Sequence, residues 1–256
     1  MIRRFTFRLL LPLCLATSAH AAAPAEQGVM RLASLDWLPY VSARLAQEGW
    51  SSFVADTAAQ KFGYRAKIEY FPWTRAMQLG TRDTRYAGYF PAYHTEERTH
   101  TCHFSAPIGS STVGLVFLKN APVRWTTVQD LASLKIGAVA GFSNGPAIDS
   151  MVREGKMQLD VSPSDMLNLR KLLAGRVDAV VMDKLVLRYL LATEPSLERE
   201  KHRFAFHDKP LAELSLHICF QRTPEGRDMQ RAFDRAMQTL PLRKLETEYF
   251  QRLEKQ

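Results

Sequence analysis

The chain has 256 residues, 34 of them basic and 26 acidic, for a formal net charge of +8. Three of the arginines, Arg3, Arg4 and Arg8, belong to an N-terminal segment with a composition of its own; without residues 1–21 the balance is 31 basic against 26 acidic, or +5. That is mildly basic, and the charges are interspersed, as in residues 194–203, rather than gathered in a stripe with aromatics, so a nucleic-acid partner is not indicated.

The first 21 residues read as an export signal: a basic start, the apolar run Leu9-Leu10-Leu11-Pro12-Leu13-Cys14-Leu15-Ala16, then the small-residue site Ala19-His20-Ala21. Leu13 before Cys14 is bulky where a lipid-anchor signal needs a small residue, which favours a soluble exported protein over a lipoprotein. The mature chain is then expected in the periplasm, beginning near Ala22. No later apolar stretch approaches the ~20 residues of a membrane helix, and the ~235 residues that remain suffice for one large core or two smaller ones.

Along this mature chain strands and helices alternate. Residues 29–35 read as a strand, and 50–62 carry helical spacing stopped by Gly63; 65–71 alternate as a strand, 73–79 resume a helix, and 86–90 form a short aromatic strand. The apolar run 112–118 is followed by Lys119-Asn120-Ala121-Pro122, a passage into a second α/β unit. There, 127–131 read as a short helix, 135–140 as a strand, 146–153 as a helix and 164–174 as a helix capped by Ser162 or Ser164. The continuous apolar run 177–182 has the character of a buried parallel strand. A strand at 214–220 and helices at 226–240 and 245–253 lead back to the first unit.

Two cysteines, Cys102 and Cys219, remain after cleavage, and an oxidising compartment allows them to pair. The rival is a zinc site with the nearby His100, His103 and His217, but neither the histidine spacing nor a Cys-x-x-Cys pair has the regularity of a zinc pattern, so the disulfide is favoured. No metal or organic cofactor is implied.

Arg98, in Tyr93-His94-Thr95-Glu96-Glu97-Arg98, and Asp183, closing Gly175-Arg176-Val177-Asp178-Ala179-Val180-Val181-Met182-Asp183, carry the functional reading. A guanidinium grips a carboxylate bidentately and an aspartate accepts from an ammonium group, which together suit a zwitterion. The bland alternatives are an Arg98 paired with Glu96 or Glu97, and an Asp183 that caps the next helix.

In their order, these segments, with Asp36-Trp37-Leu38-Pro39-Tyr40, Phe71-Pro72-Trp73-Thr74-Arg75-Ala76, Phe104-Ser105-Ala106-Pro107-Ile108 and Ile136-Gly137-Ala138-Val139-Ala140-Gly141, resemble the extracytoplasmic solute-binding proteins of family 3, the amino-acid-binding components of ABC transporters. The resemblance spans nearly all of the mature chain. It implies an α/β, two-lobed type II periplasmic binding fold with two hinge crossovers, lobe 1 from residues 28–118 plus 212–256 and lobe 2 from 119–211, closing on a ligand. It also implies that Arg98 holds the ligand carboxylate, that Asp183 holds its amino group, and that Trp37, Tyr40 and Trp73 wall the pocket. Phe142 and Ser143 lie in the loop Gly141-Phe142-Ser143-Asn144-Gly145, whose backbone N–H groups at a helix start add to carboxylate binding. The expected partners are an amino-acid-like small molecule and an ABC permease or membrane sensor, with the protein a monomer.

The chain departs from the family where a Gly-x-Thr segment is usual: it has Phe90-Pro91-Ala92-Tyr93, in which Pro91 cannot donate a hydrogen bond and Tyr93 is bulky. A flat, aromatic or extended cationic ligand, with cation–π contacts from Trp37, Trp73 or Tyr93, fits that change. Two enzymatic alternatives stand beside binding. Gly141-Phe142-Ser143-Asn144-Gly145 matches the hydrolase elbow Gly-x-Ser-x-Gly, with Asp183 and His207 or His217 following in order, although no His-Gly-Gly-type oxyanion segment precedes it. Periplasmic dehydratases of cyclohexadienyl acids share the fold, and Glu48, Glu97 and His94 are the acid candidates.

Overall fold

A computed structural model describes residues 27–253, with side chains to residue 249. The export signal expected over residues 1–21 lies outside the described residues. In chain order the elements are β1 (Gly28–Ser34), α1 (Trp50–Gln60), β2 (Tyr64–Tyr70), α2 (Trp73–Arg82), β3 (Gly88–Tyr93), α3 (Glu96–Thr99), β4 (Cys102–Phe104) and β5 (Gly109–Leu118). Then follow β6 (Ile136–Val139), α4 (Pro146–Arg153), β7 (Leu159–Ser162), α5 (Asp165–Leu173), β8 (Ala179–Asp183), α6 (Lys184–Thr193), α7 (Pro195–Glu198), β9 (Phe204–Phe206), β10 (Ala212–Gln221), α8 (Pro224–Gln238) and α9 (Leu242–Leu253).

The strands run in the order β2-β1-β3-β10-β5-β8-β6-β7. β2-β1-β3 and β8-β6-β7 are two parallel groups, each served by βα units. Between them lie the antiparallel ten-residue strands β10 and β5, which pair over Ala212–Leu216 and Gly109–Val113. β5 then continues alongside β8 and β9. The chain is therefore mixed α/β, two-lobed, with the lobes joined through long strands. Both lobes have apolar interiors: Leu32, Phe90 and Phe220 are fully buried in the first, and Ile136, Ala179 and Val180 in the second.

Local chemistry explains the boundaries. Ser164, not Ser162, caps α5 by accepting from the Leu167 N–H. Residues 127–131, expected to form a short helix, belong to a 3₁₀ turn, Val128–Ser133, held by a Thr127/Asp130 capping box. The aromatic strand expected at 86–90 is β3, Gly88–Tyr93, displaced toward its C-terminal side. β4, β7, β9, α3 and α7 are each three or four residues long, too short for periodicity to declare them. Pro91 lies inside β3; opposite it, the pairing with β10 shifts between His217 and Cys219, and the β1–β3 ladder covers only Gly88 and Tyr89. A residue without an N–H sits where the ladder is interrupted.

β3 and β10 approach so closely at Gly88 that a Cβ there falls 2.2 Å from the Cys219 carbonyl oxygen. Gly88→Ala is expected to destabilise the protein by about 2–3 kcal/mol, because backbone rather than a flexible side chain must yield. A urea midpoint equal to that of the parent would contradict this contact.

Cys102 and Cys219 are disulfide-bonded, with a Cα–Cα distance of 5.4 Å across a sequence separation of 117. Both are buried where β4 pairs with the end of β10. Their thiolates are consequently not zinc ligands, and no grouping of three or more potential metal ligands occurs among the described residues. No helix of the described residues is long and apolar enough to cross a membrane.

Candidate functional site

Six of the eight sequence-predicted ligand residues, Trp37, Trp73, Tyr93, Arg98, Phe142 and Ser143, line one cavity, together with Leu35 and Pro91. The lining comes from the loop after β1, the start of α2, the end of β3, α3 and the loop after β6. These are the carboxyl ends of parallel strands, where α/β sheets place their ligands. The cavity is partly open and has only about 10 Å³ of room, enough for a single water. The reason is Phe142, which is wedged edge-on against Trp37 and Trp73, at 6.0 Å from each. Trp37 is also stacked on Tyr40 at 4.4 Å and edge-on to Tyr93 at 6.1 Å. A ligand the size of an amino acid exceeds the room the cavity has in this conformation.

Arg98 occupies the polar side. Thr95 caps α3 by accepting from the Arg98 N–H, and the guanidinium donates through Nη1 to the Tyr93 carbonyl at 3.1 Å and through Nη2 to the Gly141 carbonyl at 3.0 Å. It lies 5.8 Å from the Trp73 ring. None of the ion pairs among the described residues includes Arg98, so the pairing with Glu96 or Glu97 is not formed. The Gly141 carbonyl also accepts from the Trp73 indole N–H at 3.0 Å. Gly141 has φ +75°, which glycine adopts without strain, and its carbonyl accepts from two side chains 43 and 68 residues away in the chain.

Asp183 and Tyr40 meet each other and do not line the cavity. Asp183 Oδ1 caps α6, accepting from the Leu185 and Val186 N–H groups at 2.7 and 2.8 Å. Its Oδ2 accepts from Ser111 Oγ at 2.6 Å and from the Tyr40 hydroxyl at 3.0 Å. Ser111 has one proton and gives it to Asp183, so Tyr93 is the donor in the 2.7 Å contact between Tyr93 and Ser111. Four donors fill the carboxylate, and in this conformation Asp183 is a cap. Burial pushes the Asp183 carboxyl up, against these hydrogen bonds. The Tyr40 and Tyr93 phenols are raised by burial first and by the Asp183 charge second.

The loop before α4 is likewise engaged. Asp149, in the first turn of α4, accepts from Ser143 Oγ and, at 2.9 Å, from the Asn144 N–H. Ser143 is thus bonded to a carboxylate, not to a histidine. His207 Nδ1 accepts from the Lys209 N–H, and His217 is bonded to Ser215 and to the Ser105 carbonyl. The Ser143–Asp183–His arrangement of a hydrolase is not assembled. Of the dehydratase acid candidates, Glu48 accepts from the Tyr70 hydroxyl, Glu97 is exposed and His94 packs on Phe104 at 4.4 Å; none lines the cavity.

Sequence reasoning missed Leu35, Ser111, Asp149 and Asp165. Asp165, at the first position of α5, has its carboxyl pushed up to about 7 by burial first and by the Asp183 charge second. An aspartate after a serine cap reads as ordinary helix chemistry, so no local signal marks it as part of a cleft.

No family model matches the sequence, and no curated protein matches it significantly. Solved structures do match. One is an amino acid ABC transporter substrate-binding protein, AbpA from Streptococcus pneumoniae, bound to L-arginine: TM-score 0.68 and 19% identity over 88% of this chain and 95% of that one. Another is a histidine kinase sensor domain with similarity to periplasmic binding proteins, at TM-score 0.71 and 16% identity over 90% and 96%. A third is the ancestral amino-acid-binding protein AncCDT-1, a precursor of cyclohexadienyl dehydratase, at 0.65 and 16% over 87% and 95%. The chain has the two-lobed α/β fold of these structures, the type II periplasmic binding fold that its motifs resemble.

Proposed function

We propose that this protein is a periplasmic solute-binding protein that captures an amino acid or a related small polar solute for an ABC permease, without transforming it. The observation that carries the proposal is the Arg98 guanidinium, free of any carboxylate among the described residues and placed on an aromatic-walled cavity between the lobes. It is the group that a ligand carboxylate would engage, exchanging neutral carbonyl acceptors for a charge-assisted pair. Lobe 1 would comprise residues 28–118 plus 212–256 and lobe 2 residues 119–211. Opening would draw Phe142 away from Trp37 and Trp73, and closure on the ligand would present one surface to the permease.

A thermal-shift screen of the purified mature protein against amino acids, polyamines and aromatic acids tests this, since a ligand selective for the folded state raises its melting temperature. The expected result is a hit among amino acids, recovered unchanged by mass spectrometry. A hit that is consumed overturns the binding reading in favour of a dehydratase, and a screen with no amino-acid hit overturns the solute class.

A further inference from the structure

Of the residues lining the cavity between the lobes, Arg98 alone is charged; the rest are four aromatic rings, Leu35, Pro91 and Ser143. Asp183, to which the family resemblance assigns a ligand ammonium, stands outside that lining, is 4% exposed and has both oxygens taken. Oδ1 accepts two backbone N–H groups of α6, and Oδ2 accepts the Ser111 and Tyr40 hydroxyls. A carboxylate offers about four lone-pair sites, so a further donor enters only by expelling one of these and leaving it buried without a partner. Tyr93 holds the arrangement in place, since its hydroxyl, 2.7 Å from Ser111 Oγ, keeps the Ser111 proton on Asp183. Ser143 donates to Asp149 and has a neutral oxygen to offer, not a charge. Two ring faces that could hold an ammonium instead are occupied: Tyr40 is stacked on Trp37 at 4.4 Å, and the Arg98 guanidinium lies 5.8 Å from the Trp73 ring.

We propose that the cleft recognises a carboxylate borne on an aromatic body and does not read an α-ammonium, so that an arylalkanoic acid is bound at least as well as the amino acid of the same skeleton. The proposal rests on the solute-binding reading above and narrows it to the chemistry that one guanidinium among rings can satisfy. A single carboxylate balances Arg98 and replaces its neutral acceptors by a charge-assisted pair. A zwitterion brings a second charge into aromatic surroundings where no anion of the lining meets it, and the desolvation of that unpaired ammonium opposes binding. The Phe142 ring, edge-on to Trp37 and to Trp73 at 6.0 Å, marks the body these walls accept. A ligand ring that takes its place keeps the same edge-to-face contacts.

The test is isothermal titration calorimetry near neutral pH with L-phenylalanine and 3-phenylpropanoate, which differ in the α-ammonium alone, on the mature wild type and on Arg98→Ala. The wild type is expected to bind 3-phenylpropanoate at least as tightly as L-phenylalanine, and Arg98→Ala to weaken both by about tenfold or more. A site that reads the ammonium prefers L-phenylalanine by about tenfold or more, the worth of a charge-assisted hydrogen bond, and that result overturns the proposal. Binding of 3-phenylpropanoate undiminished in Arg98→Ala places it outside the cleft and overturns it as well. If Arg98→Ala does not fold, the wild-type ratio decides alone. Binding of 3-phenylpropanoate without L-phenylalanine supports the proposal and moves the solute class from amino acids to aromatic acids. Binding of neither probe defeats this inference; another amino acid that binds and is recovered unchanged in the screen then leaves the solute-binding reading standing, and a screen with no hit of any class defeats both.

Discussion

Arg98→Ala is expected to weaken binding of the identified solute by about tenfold or more, with the circular dichroism spectrum and melting temperature of the free protein close to those of the parent. The guanidinium's present partners are the Tyr93 and Gly141 backbone carbonyls and the Met77 sulfur, none of them charged. Exchanging neutral acceptors for a ligand carboxylate gains a charge-assisted, bidentate contact worth roughly 1.5–3 kcal/mol, and 1.4 kcal/mol is a factor of ten. The side chain is half-buried and its removal leaves neither a buried charge nor a large cavity, so the effect falls on binding rather than on folding. Arg98→Lys should recover only part of the loss, since an ammonium cannot form the planar fork. Parent-like affinity in Arg98→Ala, measured by calorimetry, would remove Arg98 from the site.

Loss of the Cys102–Cys219 bond should have the largest effect on stability. Its sequence separation of 117 closes much of the chain into one loop. A loop of ~100 residues corresponds to about 4.7 kcal/mol in the chain-entropy account, and removal of native disulfides typically costs about 2–5 kcal/mol. At about 2–4 °C per kcal/mol for a domain of this size, reduction or the double variant Cys102→Ala/Cys219→Ala should lower the melting temperature by on the order of 10 °C. Because the bond ties β4 to the end of β10, away from the cavity lining, ligand affinity below the melting transition should change little. A thiol that titrates in the native, unreduced protein, or a melting temperature indifferent to reductant, would contradict the pairing.

Much of this was legible without the structure, for reasons that differ by residue. The two α/β units follow from periodicity, since each buried strand is an apolar run and each helix repeats its apolar positions every three to four residues. Trp37, Trp73 and Arg98 could be named because their motifs resemble those of the solute-binding family, Tyr93 because it departs from that pattern, and Phe142 and Ser143 because their loop opens a helix. Asp183 was legible as two alternatives, ligand anchor or helix cap, and the hydrogen bonds from Leu185 and Val186 show it capping α6. Choosing between them required knowing what else reaches its second oxygen, and Tyr40 and Ser111 lie 143 and 72 residues away in the chain.

What the sequence alone determined is the class of fold, the order of its elements and the set of aromatic and cationic side chains available to a site, because these are properties of neighbours along the chain. What only the tertiary structure decided is which groups are already satisfied by one another. Asp149 occupies Ser143, Tyr40 and Ser111 complete the partners of Asp183, and Phe142 fills the space between Trp37 and Trp73. Hydrogen bonding, packing and charge act over a few ångströms of space, and the groups that share that space come from segments tens to more than a hundred residues apart.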